Sequence, residues 1–416
     1  MFGGRLWRHP DFLKLWAGET VSEFGSQVTL LAVPTVAILV LHAGPFQVGV
    51  LSALEFLAFP TLGLVAGVYA DRLRRRPIMI ACDIGRLLAL GSIPVAFVLD
   101  ALTLQQLYIV ALLTGIFTVF FDVSYQSYLP ALVDRPNLIE GNTKLEVTRS
   151  ASQISGPAVA GLLIQWIGGA RAVAVDALSF LASAFALALI TTPEPEPRPS
   201  TASGATGFIP EMREGIDVVF KSPILWRIAG CTATTNLGSN MIFGAVFLVF
   251  AYRDLHLSAA VVGIIFGISS VGWLVGAFLA AWLARTFGLG MTLGLSILLG
   301  GLITLATPLA LIGVPAIILS VLGFLNNLFV PVYNINQVSL RQSITPDRVQ
   351  GRMNATMRTI VWGTIPVGAF TGGILGTTIG VVQTIILGSV VSALAALWIF
   401  LGPVARLKEQ PVPAPA

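Results

Sequence analysis

The chain has 416 residues, of which 55% are hydrophobic and only 11% are charged, and its formal net charge is +4. Soluble domains carry about 25% charged residues, so this composition requires lipid as the surrounding solvent and excludes an ordinary soluble protein. The positive charge does not indicate nucleic-acid binding, because the basic residues cluster at the ends of predicted membrane spans, where topology explains them.

Twelve apolar segments follow one another along the chain, each long enough to cross a bilayer as a helix that rises about 1.5 Å per residue. Hydropathy and helix-breaking residues place them at residues 12–40, 46–70, 76–98, 104–129, 142–167, 171–191, 224–251, 258–283, 289–309, 313–338, 352–377 and 381–403. The first segment is too long for the apolar core of a cleavable signal peptide. Cys82 and Cys231 both fall within spans, where we expect small core residues rather than a disulfide.

Basic residues fix the orientation of these spans. The loop between the second and third spans holds four arginines within residues 72–76, and such clusters remain on the cytoplasmic side. Because spans alternate in direction, both termini are then cytoplasmic, and among the basic loop residues only Arg171 and Arg253 fall on the outer side. We therefore predict a multi-pass membrane protein with cytoplasmic N- and C-termini.

One long polar segment divides the spans into six and six. It opens with the proline-rich residues 191–200, which are typical of an extended linker. Residues 209–220 are then predicted to form a short amphipathic helix on the membrane surface. The resulting organisation is an N-terminal six-helix bundle over residues 1–191, a cytoplasmic linker over residues 192–222, and a C-terminal six-helix bundle over residues 223–416.

The two halves of the chain resemble each other. Arg149 precedes Pro157 by eight positions in the fifth span, and Arg358 precedes Pro366 by the same eight positions in the eleventh. A six-plus-six repeat is typical of transporters whose two bundles move about a central site, and the duplication favours a symmetric structural or gating role for the arginines. Gly156 and Pro157 are expected to bend the fifth helix, either for movement between bundles or simply for packing.

Over nearly the whole chain these features resemble the major facilitator superfamily. The loop after the second span is similar to the family signature Gly-x-x-x-Asp-Arg-x-Gly-Arg-Arg, and it departs from the signature at Arg74, where the family has Gly. The matching residues are Gly67, Asp71, Arg72, Arg75 and Arg76. Gly156, Pro157 and Gly161 are similar to the Gly-Pro motif of the family's exporters, with Ser152 in place of a further Gly.

Further residues look like the bacterial branch that contains siderophore, macrolide and multidrug exporters: Phe12, Leu15, Trp16, Gly18, Ser22, Gly25, Asp176, Ser179, Gly351, Arg352 and Asn354. The resemblance implies an all-α integral membrane protein of the major facilitator fold, with 12 transmembrane helices in two six-helix bundles. It also implies the bacterial cytoplasmic (inner) membrane. The fourth span lacks the intramembrane arginine of drug:proton antiporters, and Arg86 in the third span is the nearest substitute.

The same resemblance assigns a cytoplasmic gate to the signature residues Gly67, Asp71, Arg72, Arg75 and Arg76. A carboxylate at Asp71 can face the positive N-terminus of a neighbouring helix, and the resemblance implies that this helix is the eleventh span, near Gly351. The arginines would pair with acids at adjacent span ends. The alternative is that the arginines only anchor the topology by reaching to the membrane surface.

Acidic residues within spans are the strongest functional signal, because a carboxylate in lipid is costly and usually faces a cavity or a partner. Glu19 and Glu23 share one face of the first helix, and Glu23 lies about 16 Å along that helix from Phe12. Glu55 reaches a similar depth in the second span. Grouped carboxyls in a low-dielectric site can hold a proton and release it to water, as proton-coupled antiport requires. The alternatives are a hydrogen-bonded structural carboxyl or a contact for a cationic substrate.

A second group of charges comprises Asp83, Arg86 and Asp122. Asp83 and Arg86 are three residues apart and can pair on one helical face, and Asp122 lies at a depth that Arg86 could approach. We expect a structural ion pair, and we keep Asp122 and Arg86 as further candidates for proton coupling. Asp176, in the sixth span, is expected to be a structural hydrogen-bonding group.

The second half has no acidic residue between Asp254 and Asp347, so its polarity within the membrane comes from amides. Candidates for the substrate cavity are Asn236, Asn240, Asn326 and Asn327, with Phe56 as part of an apolar wall. The amides alternatively form hydrogen bonds between helices, and Phe56 alternatively faces lipid.

Together these features predict a secondary active exporter of small amphiphilic molecules, drug-like or siderophore-like, that works by proton antiport and alternating access. Its partners would be the small-molecule substrate, protons and membrane lipid, without nucleic acid, and it would act as a monomer. Since no P-loop, metal cluster or catalytic motif occurs in the sequence, we expect no enzyme activity, cofactor or metal. The alternatives are an uncoupled or uptake carrier, or a lipid-handling membrane protein of the same fold.

Overall fold

The computed structural model describes residues 5–134, 137–194 and 208–409 of the chain. Within these residues the regular secondary structure is helical, and no strand occurs among them. Six long helices form the first half: α1 Pro10–Leu39, α2 Pro45–Arg72, α3 Arg75–Val98, α4 Leu104–Leu132, α5 Leu138–Ile167 and α6 Gly169–Ala188. The helix predicted over residues 209–220 follows as α7, Phe208–Lys221.

The second half repeats this pattern with more interruptions. Its helices are α8 Leu225–Met241, α9 Phe247–Val249, α10 Ala259–Phe287, α11 Leu289–Leu305, α12 Pro315–Ile344, α13 Asp347–Thr378, α14 Val381–Leu394 and α15 Leu397–Phe400. The π-helical turn Ile242–Val246 joins α8 to α9, and a second π-helical turn, Phe250–Asp254, completes this span. Single π-helical turns are uncommon and often mark functional segments.

Eleven helical segments of the described chain are long and apolar enough to cross a membrane. Of the twelve predicted spans, the one missing from this set is α5, although it is 30 residues long. It contains charged residues in its N-terminal part, including Glu140, Lys144 and Arg149, and Ser, Gln, Gly and Pro dilute the apolar residues in the remainder. Twelve long helical segments therefore occupy the twelve predicted positions, and α5 is the most polar of them by composition.

Glycine makes the tight connections between consecutive helices. Gly168 separates α5 from α6 with φ of +83°, Gly288 separates α10 from α11 with φ of +83°, and Gly380 separates α13 from α14 with φ of +101°. An L side chain rarely adopts these left-handed values, so glycine is needed there. Gly168 and Gly380 hold the same place in the two halves, which agrees with the internal repeat.

The described residues form two compact units. The first takes its residues from Met1–Ala43, Leu54–Ser200 and Ser258–Gly267, and the second from Gly44–Ala53, Thr201–Leu257 and Ile268–Ala416. The first turns of α2 therefore belong to the second unit, and the first turns of α10 belong to the first.

Paired glycines explain these two exchanges. In the first unit, a Cβ atom placed on Gly161 of α5 would lie 2.8 Å from the Cα atom of Gly263 in α10. In the second unit, a Cβ atom on Gly49 of α2 would lie 2.9 Å from the Cα atom of Gly373 in α13. Each crossing is so close that only glycine fits on both helices.

The core of the first unit lies where α1 packs on α5 and α6 and where α3 packs on α4 and α6. In the second unit, α8 packs on α13 and α14, α11 packs on α12 and α14, and α7 lies on α13. Cys82 is buried in the first core and Cys231 in the second, and both are free thiols. The prediction that these cysteines are core residues is confirmed.

Candidate functional site

Carboxyl groups and arginines come together inside the first unit. Glu19 and Glu23 lie on one face of α1 and are both half-buried. The Glu19 carboxyl interacts electrostatically with Glu23, Arg86, Asp122 and Asp83. The Glu23 carboxyl interacts with Arg149, Asp122, Glu146 and Arg86. Four of the five residues predicted for proton coupling are therefore neighbours: Glu19, Glu23, Asp122 and Arg86. Together with Arg149 and Tyr125, described below, we call these residues the acid cluster.

Arg86 is the buried cation beside this cluster. Its guanidinium pairs with the Asp83 carboxylate at 2.5 Å, and both side chains are at most 5% exposed. The Phe121 and Phe180 rings lie 4.3 Å and 4.1 Å from the guanidinium carbon, so cation–π attraction adds to the ion pair. The predicted local pair between Asp83 and Arg86 is confirmed.

Two members of the acid cluster were missed as site residues in the sequence. Tyr125 interacts with Glu19, Glu23 and Asp122, and within the described chain its buried hydroxyl has no hydrogen-bond partner. Tyr125 follows Asp122 by three residues on α4, so their shared helical face was a usable signal. Arg149, on α5, makes the strongest charge interaction with the Glu23 carboxyl.

The duplicated arginines have different surroundings in the two halves. Arg149 faces the carboxyl group of Glu23, whereas Arg358 lies with its guanidinium carbon 5.4 Å from the centre of the Trp362 ring. The second half has no intramembrane acid to offer Arg358 an equivalent partner. The sequence repeat therefore preserves the arginine positions without preserving their contacts.

Glu55 lies apart from the acid cluster. It is half-buried on α2, and no charged residue of the acid cluster interacts with its carboxyl group. A Cβ atom on Gly115 of α4 would overlap the Glu55 main-chain oxygen, so α2 and α4 cross closely at this point. The Phe56 ring next to it lies 6.3 Å from the Phe59 ring.

The arginine-rich end of α2 and α3 makes contacts within the first unit. The main-chain N–H groups of Arg75 and Arg76 donate to the Glu194 carboxylate at 2.7 Å and 3.2 Å. The Arg76 guanidinium donates to the carbonyl oxygens of Leu187 and Ala188 at the end of α6. Arg75 and Arg76 thus join the start of α3 to the end of α6.

Three signature residues remain: Gly67, Asp71 and Arg72. Arg72 is exposed, and a Cβ atom on Gly67 would meet nothing within 4 Å. The side chain of Asp71 lies outside the described residues, so its predicted pairing with the eleventh span stays a prediction.

A second acid anchors the same end of the first unit. The Asp11 carboxylate accepts hydrogen bonds from the main-chain N–H groups of Thr191 and Thr192, at 3.1 Å and 2.7 Å. Lys14 donates to Asp11 and to the carbonyl oxygen of Leu189, both at 2.7 Å. Residues 189–194 are therefore held at two points, by Asp11 and through Glu194, before the polar linker begins.

The equivalent place in the second unit uses main-chain groups instead. The N–H groups of Leu289 and Gly290, which open α11, donate to the carbonyl oxygens of Lys408 and Leu407 at 3.1 Å and 2.8 Å. These bonds satisfy donors that a helix N-terminus leaves free.

The linker helix α7 packs against protein. Val219 is fully buried in the core of the second unit. The Glu214 carboxylate lies 2.9 Å from the Arg348 guanidinium and also pairs with Arg352, both on α13. A Cβ atom on Gly215 would lie 2.8 Å from the Arg352 main-chain oxygen. One side of α7, with Val219, is thus buried against protein, whereas Ile216 and Phe220 are exposed. The predicted position of this helix on the membrane surface stays a prediction.

A polar cavity of about 100 Å³ lies inside the second unit, between α8, α11, α12 and α14. Two predicted amides, Asn236 and Asn326, line it, whereas Asn240 and Asn327 do not. The Asn326 amide donates to the Gly300 carbonyl and the Thr304 hydroxyl, both at 2.9 Å. Sequence reasoning missed the hydroxyl side chains of the lining, which belong to Thr232, Thr235, Ser239, Ser296, Thr304, Tyr333 and Ser392.

Gly156 and Pro157 lie where α5 meets its neighbours. A Cβ atom on Gly156 would lie 2.5 Å from the Cγ atom of Gln27 on α1, and a Cβ atom on Gly263 would lie 2.5 Å from the Pro157 carbonyl oxygen. The helix assignment of α5 continues through Pro157. Close packing therefore accounts for the glycine, and the bend stays a prediction.

A family model described as "Transmembrane secretion effector" matches residues 6–414. The multidrug efflux pump Tap of Mycolicibacterium fortuitum is 24% identical over 419 residues, which cover 97% of each chain. Macrolide efflux protein A of Streptococcus pyogenes is 26% identical over 386 residues, which cover 89% of this chain and 90% of that protein.

A further match is partial. The uncharacterized MFS-type transporter YfiS of Bacillus subtilis is 28% identical over 213 residues, and the aligned part spans 51% of this chain and 50% of that protein.

Solved structures show the same architecture. A bacterial homologue of the iron transporter ferroportin matches with a TM-score of 0.76 at 17% identity, over 96% of this chain and 99% of that one. A bacterial homologue of the human lysosomal transporter Spinster matches with a TM-score of 0.74 at 16% identity, over the full length of both. At such identities the likeness shows the fold alone, and the predicted fold is confirmed.

Proposed function

This chain belongs to the transmembrane secretion effector family of the major facilitator superfamily, and we propose on that premise that it exports small amphiphilic molecules in exchange for protons. The family and fold are those of transporters rather than enzymes. Two relatives are a multidrug efflux pump and a macrolide efflux protein, which supports export of this substrate class.

The acid cluster of the first unit is the observation that carries the proposal. Glu19, Glu23 and Asp122 are three carboxyls near two guanidinium groups, those of Arg86 and Arg149. Like charges that are held together in a low-dielectric site cannot all ionise cheaply, so the cluster binds and releases protons as a unit. A change in water access to the cluster then couples proton movement to substrate movement.

The protein lies in the bacterial inner membrane as a monomer with both termini in the cytoplasm, so that the arginine-rich end faces the cytoplasm. Gly67, Asp71 and Arg72 act at the cytoplasmic gate during alternating access. Arg75 and Arg76 support this gate by holding the start of α3 to the end of α6. Phe56, Asn240 and Asn327 line the substrate path outside the cavity of the second unit.

Transport in everted membrane vesicles tests the antiport. Wild-type protein should accumulate ethidium only when the vesicle interior is acidified. Glu19→Gln and Glu23→Gln should lose gradient-driven accumulation while still exchanging labelled for unlabelled ethidium at equal concentration. Asp217→Asn, at an exposed carboxylate of α7, is the matched control and should transport normally.

Glu55→Gln separates the acid cluster from an isolated carboxyl. Because Glu55 lies apart from the cluster, we expect this variant to retain gradient-driven accumulation. A wild-type flux that does not respond to the gradient would instead support an uncoupled carrier. Loss of coupling in Glu55→Gln alone would move the coupling site to α2.

A further inference from the structure

A groove of about 930 Å³ lies in the second unit where α10 turns into α11. Two basic side chains line it, Arg285 from the last turn of α10 and Lys408 from the chain segment after α15. Among the described lining residues Glu409 is the one acid, so two positive charges face one negative charge. All three side chains are exposed. The groove is therefore open and electropositive.

The main chain holds the two cations at one corner of the unit. The Lys408 carbonyl oxygen accepts a hydrogen bond from the Leu289 N–H at 3.1 Å. A Cβ atom on Gly288 would lie 3.5 Å from the Lys408 Cα atom, so the final segment runs directly against the turn between α10 and α11. Because Arg285 precedes that turn by three residues, both positive charges enter the groove from the same end.

These cations are not neutralised within the protein. Arg285 donates from Nε to the Ala281 carbonyl oxygen at 3.3 Å, which uses one of the five N–H donors of a guanidinium group. Among the described residues, no ion pair includes Arg285 or Lys408. After the second span of the first half, by contrast, the Arg75 guanidinium lies 3.7 Å from the Glu194 carboxylate. The second unit thus offers positive charge to a ligand.

An exposed apolar strip on α10 leads to this groove. Phe278, Trp282 and Arg285 are spaced by four and three residues and share one helical face. Phe278 is 85% exposed and Trp282 is 52% exposed, and Phe278 lies about 10 Å along the helix from Arg285. Since α10 is long and apolar enough to cross a membrane, these rings suit contact with acyl chains. A tryptophan followed by an arginine at the end of a span is typical of the level of the lipid headgroups.

We propose that this groove binds the phosphate headgroup of an anionic phospholipid. Arg285 and Lys408 hold the phosphate, and the acyl chains lie along Phe278 and Trp282. A soluble phosphate would satisfy the two cations but would leave the aromatic strip without a partner, so the chemistry favours a lipid. In the orientation proposed above, this end of α10 faces the cytoplasm, where the membrane surface is negatively charged and basic pockets at helix ends bind such headgroups.

Native mass spectrometry of the purified full-length protein in a mild detergent tests the site. Titration with dioleoylphosphatidylglycerol and with dioleoylphosphatidylcholine compares an anionic with a zwitterionic headgroup on the same acyl chains. Wild-type protein should bind its first phosphatidylglycerol more tightly than phosphatidylcholine. Arg285→Gln and Lys408→Gln should each raise the dissociation constant for phosphatidylglycerol by about fivefold and leave that for phosphatidylcholine within about twofold. Glu409→Gln should change it in the opposite direction, because it removes the negative charge of the groove.

A matched control lies two residues before Lys408. Arg406 is exposed and is not among the lining residues, so Arg406→Gln makes the same change in net charge outside the groove. It should bind phosphatidylglycerol within about twofold of wild type. Since all these side chains are exposed, the variants should unfold at nearly the wild-type temperature, which thermal unfolding checks.

Four outcomes would overturn the lipid site. They are equal wild-type affinity for the two lipids, unchanged binding in both Arg285→Gln and Lys408→Gln, a loss in Arg406→Gln as large as in Arg285→Gln, and displacement of the lipid by an equal concentration of glycerol 3-phosphate. The last outcome would assign the groove to a soluble phosphate. Because binding is measured without transport, failure of the export or antiport proposal would not change the result.

Discussion

The Arg86 guanidinium carbon lies 4.1 Å from the centre of the Phe180 ring, and its charge is balanced by the buried carboxylate of Asp83. Removing one partner of a buried pair leaves the other uncompensated, at a cost of about 3–5 kcal/mol. Arg86→Met should therefore lower the free energy of unfolding by about that amount. Asp83→Asn added to Arg86→Met should restore much of the loss, because the orphaned charge is gone.

Thermal unfolding in detergent micelles measures these effects. Arg74→Met, at an exposed arginine, is the control and should unfold at nearly the wild-type temperature. An Arg86→Met protein as stable as wild type would contradict the role assigned to the pair.

Gly25 permits the contact between α1 and α6. A Cβ atom at this position would overlap the Asp176 carboxylate and the Ser179 hydroxyl, which are hydrogen-bonded to each other at 2.9 Å. Gly25→Ala must separate the helices or break that bond, so we expect a loss of about 1–3 kcal/mol. Yield of folded protein by size-exclusion chromatography and the unfolding temperature report it.

Gly63→Ala is the counterpart of this substitution on α2, since a Cβ atom there meets nothing within 4 Å. It should be neutral or stabilising by up to about 1 kcal/mol, because alanine favours helix more than glycine does. Equal destabilisation by Gly25→Ala and Gly63→Ala would show that Gly25 does not act by allowing α1 and α6 to approach closely.

Glu194 caps α3 with a side chain that is only 6% exposed. Glu194→Ala removes the acceptor for two main-chain N–H groups, those of Arg75 and Arg76, and should cost about 1–3 kcal/mol. Hydrogen exchange should become faster at the first turn of α3 and unchanged at its middle. Glu409→Ala, at an exposed acid, should have no such effect.

Packing rather than charge should hold α7 on α13. Arg348 is 75% exposed and Glu214 33% exposed, so Glu214→Gln should cost at most about 1 kcal/mol. Gly215→Val should be far more disruptive, because a Cβ atom there already lies 2.7 Å from the Thr356 hydroxyl. Hydrogen exchange of residues 208–221 distinguishes the two variants, and faster exchange in Glu214→Gln than in Gly215→Val would refute this ranking.

Most of the helix framework follows from the sequence because lipid imposes length and apolarity on every span. The sixth span, predicted at residues 171–191, runs from Gly169 to Ala188. The π-helical turns of the seventh span were not predictable, because Gly244 in the first turn is an ordinary residue of a membrane helix and the second turn contains neither Gly nor Pro. α7 was found by its amphipathic period, but the period does not say whether lipid or protein covers the apolar face.

The acid cluster was only half predictable for a similar reason. Spacing along one helix indicated that Glu19 and Glu23 share a helical face and that Asp83 pairs with Arg86. Tyr125 and Arg149 join them through the packing of α4 and α5, which spacing along α1 does not encode. In the second unit, amide side chains are rare enough in apolar helices to indicate a polar site. Serine and threonine are common in such helices, so they do not.

The caps of α3 and α11 differ in how they can be lost. A single codon change at Glu194 removes the first cap, whereas the carbonyl oxygens of Leu407 and Lys408 persist whatever side chains those positions carry. Sequence drift should therefore be tolerated at 407 and 408 and penalised at 194. Truncation of the chain before residue 407, or a fusion partner that draws this segment away, would expose the start of α11 while leaving the first half intact.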